Sequence, residues 1–248
     1  MLRILCILTA CLTLGSVVPA AEPEQLEPGL AVLRIENGLW LHRSDKDWGD
    51  GKPITSNGMF VVGDDALAMI DTAWTDEQTA TLIDWAEARF NRPVRHVIST
   101  HWHWDRMGGM AEVNRRGIRG YALDRTAELG AANGIAEPGT TFEKSMRLEL
   151  GNETIEAFHP GPGHTEDNTV VWLTSRKILI GGCLIKSASS KGLGYTDEAD
   201  IPNWGATLDQ VLERYGEARR VVPGHGEIGT LDLVKRTRSL VEQALEAE

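Results

Sequence analysis

Short runs in which apolar and polar residues alternate begin near residue 30. Residues 31–35 and 39–42 flank Glu36-Asn37-Gly38, and residues 58–62 and 66–70 flank Gly63-Asp64-Asp65. Each pattern predicts two strands joined by a tight turn, because Asn and Gly tolerate the backbone angles such turns need. The period then changes. Leu82, Trp85 and Phe90 recur at roughly helical spacing, which predicts a helix over 76–90. An apolar strand over 94–99 follows, then a short helix after Gly109. The second half is looser, with strands predicted over 146–150, 154–158, 169–173 and 177–180. Helices over 203–217 and 231–247 enclose a last strand over 219–222. No internal repeat is visible and no Pro/Ser-rich linker separates the halves. Strand clusters each followed by helices point to stacked α/β layers with the sheets inside, although periodicity alone leaves the topology open.

The N-terminus has a different texture. Met1-Leu2-Arg3 is a positive start, residues 4–18 are almost wholly apolar, and Val18-Pro19-Ala20 is a small-residue cleavage site. This predicts an export signal over residues 1–20 and a mature single domain over 21–248, located in the periplasm. A membrane anchor is the alternative, but the stretch is short for a span and contains Gly15 and Ser16. Leu8-Thr9-Ala10-Cys11 resembles a lipoprotein processing box, with a cramped apolar core before Cys11. Cleavage after Ala20 would remove Cys6 and Cys11 and leave Cys183 as the single thiol. No intramolecular disulfide is then possible. A lone thiol in an oxidising compartment needs burial or a metal to protect it.

Composition narrows the function classes. The net charge is -11, with the acids spread along the chain and no basic stripe, which argues against a nucleic-acid partner. At 248 residues and 42% hydrophobic, the chain can bury a large core. A monomer is expected.

Chemistry concentrates in His101-Trp102-His103-Trp104-Asp105-Arg106-Met107-Gly108-Gly109. Three potential metal ligands fall within five residues, between a predicted strand and a predicted helix. A turn there can aim them all into one cleft, and imidazole and carboxylate both suit Zn²⁺. Further candidates lie downstream in Gly161-Pro162-Gly163-His164-Thr165, Gly181-Gly182-Cys183 and Pro223-Gly224-His225-Gly226. Each is a donor just past a predicted strand and beside glycine, which lets backbones approach closely. Taken singly, a loop histidine or a core cysteine explains each. Together they make six donors, enough for two zinc ions.

At these residues the chain resembles a known family. HWHWDRMGG looks like the signature of the metallo-β-lactamase fold, and GPGHTEDN, GGCLIKS and PGHG follow in the family's order. The set is similar to the class B β-lactamases that pair a three-histidine site with an Asp-Cys-His site. Arg106 points the same way, since relatives such as glyoxalase II usually carry a second zinc-binding histidine there. The resemblance implies an αβ/βα four-layer sandwich with the site at one edge of two central sheets. It implies one zinc on His101, His103 and His164 and a second on Asp105, Cys183 and His225. Asp71 looks like the family's carboxylate that orients a ligand imidazole by accepting its second N–H.

The implied activity is hydrolysis of the β-lactam amide in penicillins, cephalosporins and carbapenems, conferring antibiotic resistance. Zinc brings the pKa of bound water to about 7, so hydroxide is available at neutral pH. Asp105 would orient it and handle its proton, and Lys186 would pair with the substrate carboxylate beside the lactam nitrogen. Tyr195 stands where many relatives have Asn, an amide that reaches the lactam oxygen, so its contact is open. Residues 44–56 read as a polar loop with one aromatic, Trp48; the resemblance implies a loop that closes over substrate, with Trp48 folded back on the body as the alternative. Whether Trp102 or Trp104 faces substrate is also open. His42, His96 and His159 read as ordinary strand or loop histidines. Other substrates of zinc hydrolases (lactones, thioesters, phosphodiesters) and a non-catalytic zinc protein are the competing readings. Three donors per metal favour catalysis over structure, because structural zinc is usually closed by four protein ligands.

Overall fold

The computed structural model describes residues 22–247. The predicted export segment, with Cys6 and Cys11, lies outside the described residues. Strands β1 (Glu24–Glu27), β2 (Leu30–Glu36), β3 (Leu39–Lys46), β4 (Ile54–Val62) and β5 (Leu67–Ile70) form an antiparallel meander. Helix α1 (Asp76–Phe90) then crosses to β6 (Val94–Ile98). Short helices α2 (Trp104–Met107) and α3 (Met110–Arg115) lead to β7 (Arg119–Leu123), α4 (Asp124–Ala132) and β8 (Thr140–Phe142). From β5 to β8 the pairing is parallel, so one eight-stranded sheet runs β1 to β8 in chain order.

The second sheet holds β9 (Ser145–Leu150), β10 (Glu153–Phe158), β11 (Val170–Leu173), β12 (Ile178–Gly182) and β13 (Arg220–Pro223), in order β13-β12-β11-β10-β9. Helix α5 (Ile201–Tyr215) precedes β13 and α6 (Asp232–Glu246) follows it.

Alternation along the central strands explains the layering. Leu39 and Leu41 of β3, Met59 and Val61 of β4, and Val171 and Leu173 of β11 meet in one core between the sheets. Their neighbours Trp40, Phe60 and Leu67 face α1 and α3, while Val170 and Trp172 face α5 and α6. Both faces of these strands are therefore buried. The result is the αβ/βα four-layer sandwich, and each fully buried large apolar side chain stabilises it by roughly 1.5–3 kcal/mol. The outer helices fit by period: Trp204, Leu208, Val211 and Tyr215 of α5 recur at helical spacing and are all buried. Thr75 caps α1 by accepting the Gln78 N–H, and Asp200 caps α5 by accepting that of Asn203.

Some boundaries differ from expectation. The hairpin of β3 and β4 continues to the Lys46–Ile54 pair, so the loop is residues 47–53 rather than 44–56. Ser44 and Ser56 are buried cross-strand partners, Oγ to Oγ at 3.0 Å, which lets polar residues continue the ladder. Strands β1, β7 and β8 and helix α4 were not predicted. In β1 and β8 the runs are too short to show a period, and α4 carries mostly Ala and Gly where an apolar stripe would need larger side chains. Among the described residues no helix is long and apolar enough to cross a membrane.

One side chain ties the two sheets where the metal-type residues gather. Arg106 is fully buried; its Nη1 donates to Asn57 O at 2.5 Å and to Asp71 Oδ2 at 3.2 Å. Its Nη2 reaches Asp105 Oδ2 at 2.7 Å, Gly224 O at 2.8 Å and Cys183 Sγ at 3.3 Å. Replacing it by Met would leave Asp71 buried without a counter-charge and Asp105 with His225 as its remaining cationic partner. Arg106→Met should cost the metal-free protein about 3–5 kcal/mol in urea unfolding; a loss below about 1 kcal/mol would show that the network does not hold the sheets together.

Candidate active site

Each donor sits where a strand ends at one edge of the sandwich. β6 ends at Ile98, and the backbone beyond it is fixed by two carboxylates: Asp71 accepts the Thr100 N–H at 2.7 Å and Asp167 accepts that of Trp102 at 2.9 Å. This aims His101 and His103 inward and starts α2 at Trp104. His164 follows the strand β10 turn, Cys183 follows β12 and His225 follows β13. Gly224 has to be glycine, since a Cβ there would lie 2.7 Å from Cys183 Sγ and 2.8 Å from Arg106 Nη2.

Two triads result. His103 Nδ1 lies 3.1 Å from His101 Nε2 and 3.2 Å from His164 Nε2. His225 Nε2 lies 3.2 Å from both Cys183 Sγ and Asp105 Oδ2, and those two atoms are 3.6 Å apart. Ligands at ~2.0–2.1 Å in a tetrahedron are separated by about 3.3 Å, so the spacings fit a metal at the centre of each triad. Hydrogen bonds among three imidazole nitrogens cannot satisfy all the lone pairs, whereas one cation can.

The outer nitrogens support this. His103 Nε2 donates to Glu198 Oε2 at 2.8 Å, and His225 Nδ1 donates to the Thr55 carbonyl at 2.8 Å. The Thr100 hydroxyl donates to Asp71 Oδ2 at 3.1 Å and faces His101 Nδ1 at 3.4 Å, where it can accept an N–H. Each contact fixes the tautomer that points a bare nitrogen into its triad. Charges agree. Burial and the neighbouring histidines hold His101 well below the usual imidazole range, and burial with the Lys186 charge does the same for His164, so both are neutral. Burial works against ionisation of Asp105, but Arg106, His225 and His101 together outweigh it and keep the carboxyl well below the usual range. Burial also opposes charge on His225, yet Cys183 and Asp105 push it up to about 10, so in the metal-free chain a proton stands where a metal would.

Five of the six donors line a pocket of about 610 Å³, with His101 fully buried behind them. Trp48, Trp74 and Trp104 line one side, with Lys186, Tyr195 and Glu198 on the other. A model of the metallo-beta-lactamase superfamily matches residues 51–225. The chain belongs to that superfamily. The type 2 metallo-beta-lactamase of Bacillus cereus is 40% identical over 213 residues, covering 86% of this chain and 83% of that protein. The solved metallo-beta-lactamase from Pontibacter korlensis is 38% identical with a TM-score of 0.83, covering 86% of this chain and 99% of that one. The metallo-beta-lactamase FIM-1 from Pseudomonas aeruginosa, solved in a mono-zinc form, is 34% identical with a TM-score of 0.81, covering 87% and 96%. Membership with this donor chemistry makes the centre a divalent-metal site.

Within this metallo-β-lactamase fold the six candidate donors come together. Lys186 projects into the same pocket, and Tyr195 is half exposed with its ring edge-on to His103 at 5.7 Å. Trp48 is exposed at the loop tip, edge-on to Trp74. Trp104 is partly exposed on the pocket wall while Trp102 is buried, which assigns the outward face to Trp104. Asp71 differs from expectation: it accepts no imidazole N–H and reaches His101 only through the Thr100 hydroxyl, because Arg106 and Thr100 occupy its oxygens. His42 is buried with Nε2 on the Asp71 carbonyl, and His159 Nδ1 faces the Asn168 carbonyl, both away from the triads.

Sequence reasoning missed Glu198. It lies in a loop with no motif, and only its place three residues after Tyr195 hinted at the site. Glu198→Ala should weaken metal at the three-histidine triad by about tenfold or more while sparing the other triad. Competition with a chromophoric chelator measures this; equal weakening at both sites, or none, would contradict it.

Proposed function

We propose that this chain is an exported zinc-dependent β-lactamase that carries two zinc ions. The observation that carries the reading is that two three-donor triads, each short of the four ligands of a structural site, adjoin one pocket that the Lys186 ammonium also lines. Curated and solved relatives named metallo-beta-lactamase support it. Residues 1–20 serve as the export signal and the mature chain of 21–248 forms one domain in the periplasm. The texture of the N-terminus supports this. The chain works as a monomer, since every donor of both triads comes from one copy.

His101, His103 and His164 hold one zinc; Asp105, Cys183 and His225 hold the other. When bound, zinc supplies Lewis acidity and a water whose pKa falls to about 7. Asp105, kept ionised by Arg106, lies within 4.8 Å of the His101 ligand atom and so between the two triads. It orients the attacking water and takes its proton. Lys186 pairs with the carboxylate beside the lactam nitrogen and sets the carbonyl over the triads. The Trp48, Trp74 and Trp104 side excludes water and packs the substrate body. The Tyr195 ring lines the pocket beside His103.

The purified mature chain should open a chromogenic cephalosporin, lose turnover to a chelator and regain it with added zinc. Lys186→Ala should lower kcat/KM on carboxylate-bearing β-lactams by about tenfold to a hundredfold, mainly through KM, because the ion pair already exists in the ground state. Tyr195→Phe should be nearly silent. Wild-type kcat/KM for Lys186→Ala on a cephalosporin and a carbapenem would move the assignment to another substrate of zinc hydrolases.

A further inference from the structure

Lys186 is held in an unusual way for a buried-stem cation. Its backbone N–H donates to Thr237 Oγ1 of α6 at 2.8 Å, which fixes the start of the side chain. Its Nζ stands over the ring of Trp204, 5.2 Å from the centroid. Among the described residues no carboxylate forms an ion pair with it. On its other side runs the loop with Tyr195, where a Cβ on Gly194 would lie 4.0 Å from Nζ.

Trp204 itself is immobile. It is fully buried on α5, its Nε1 donates to the Leu184 carbonyl at 3.1 Å, and its ring packs beside Gly163. The same indole lies 6.1 Å from the ring of His164. One rigid aromatic ring thus lies close to both a metal-triad histidine and the ammonium.

The choice of partner matters electrostatically. A carboxylate against Nζ would hold it in place but neutralise it, leaving nothing for an incoming anion. An aromatic face attracts the cation through its quadrupole and leaves the net charge intact. A four-carbon stem otherwise carries substantial rotamer freedom, which binding would have to freeze. We propose that Trp204 is a positioning residue for substrate recognition: its buried ring pre-sets the Lys186 ammonium, still fully charged, for capture of the substrate carboxylate. The inference rests on the β-lactamase reading above and names a specificity determinant behind the pocket wall, outside the residues that line it.

The test is steady-state kinetics on one cephalosporin and on its methyl ester, with zinc content measured in each protein. Trp204→Leu should raise KM for the free acid by roughly threefold to thirtyfold with kcat nearly unchanged. It should leave KM for the ester unmoved, and Trp204→Phe should recover most of the loss. In a Lys186→Ala background the same change should add nothing. If Trp204→Leu does not fold, a tetrafluorinated tryptophan at position 204 alone keeps the shape and removes the negative ring face; it should reproduce the selective KM rise. Equal KM changes on acid and ester, additivity with Lys186→Ala, or a silent fluorinated variant would overturn the proposal. Absence of turnover by the unsubstituted protein on every β-lactam would instead sink the functional reading beneath it.

Discussion

The buried guanidinium of Arg106 is the constraint on which the rest of the architecture depends. Taking a cation out of water costs several kcal/mol, and only close anionic and carbonyl partners offset it. Here they come from five separate places in the chain: Asn57 in β4, Asp71 after β5, Asp105 beside it in α2, Cys183 after β12 and Gly224 after β13. The first three belong to the eight-stranded sheet side and the last two to the five-stranded one. Satisfying one side chain therefore brings both sheets into register at the edge where every donor lies.

That arrangement also sorts the charges. Arg106 helps keep Asp105 ionised and lies against the Cys183 sulfur, so the second triad holds a carboxylate beside the protonated His225 before any metal arrives. In the three-histidine triad His101 and His164 are neutral, because burial and neighbouring charge disfavour protons on them. Two sites of different hardness and charge, some 5 Å or less between their nearest donors, share one pocket. Outside them a second ring of acceptors (Glu198, Thr55 and Thr100) holds His103, His225 and His101 in the required tautomers. The metal chemistry is thus written into hydrogen bonds that exist without the metal.

Much of this was legible in the sequence, for physical reasons. Helix α1 was predicted at its observed bounds because Leu82, Trp85 and Phe90 recur at roughly helical spacing. His101, His103 and Asp105 stood out because they fall within five residues, and His164, Cys183 and His225 because each is a metal-type side chain beside glycine after a strand. Dividing six donors into two triads came from the family resemblance, since spacing along a chain does not say which strand ends meet. The extension of β3 and β4 was hidden because Ser44 and Ser56 satisfy each other inside the ladder. Glu198 and the Thr100 relay were invisible for a related cause: Glu198 acts through a single contact far along the chain, and Thr100 links the distant Asp71 to its neighbour His101, with no local pattern to mark either.

The central claim is that the two triads each hold a zinc ion. Anomalous scattering at the zinc edge from crystals of the zinc-loaded protein tests it directly. Two peaks per chain are predicted, one among His101, His103 and His164 and one among Asp105, Cys183 and His225, with a zinc–sulfur distance of about 2.3 Å at the second. A single peak at saturating zinc, or a second peak away from the Cys183 sulfur, would contradict the account.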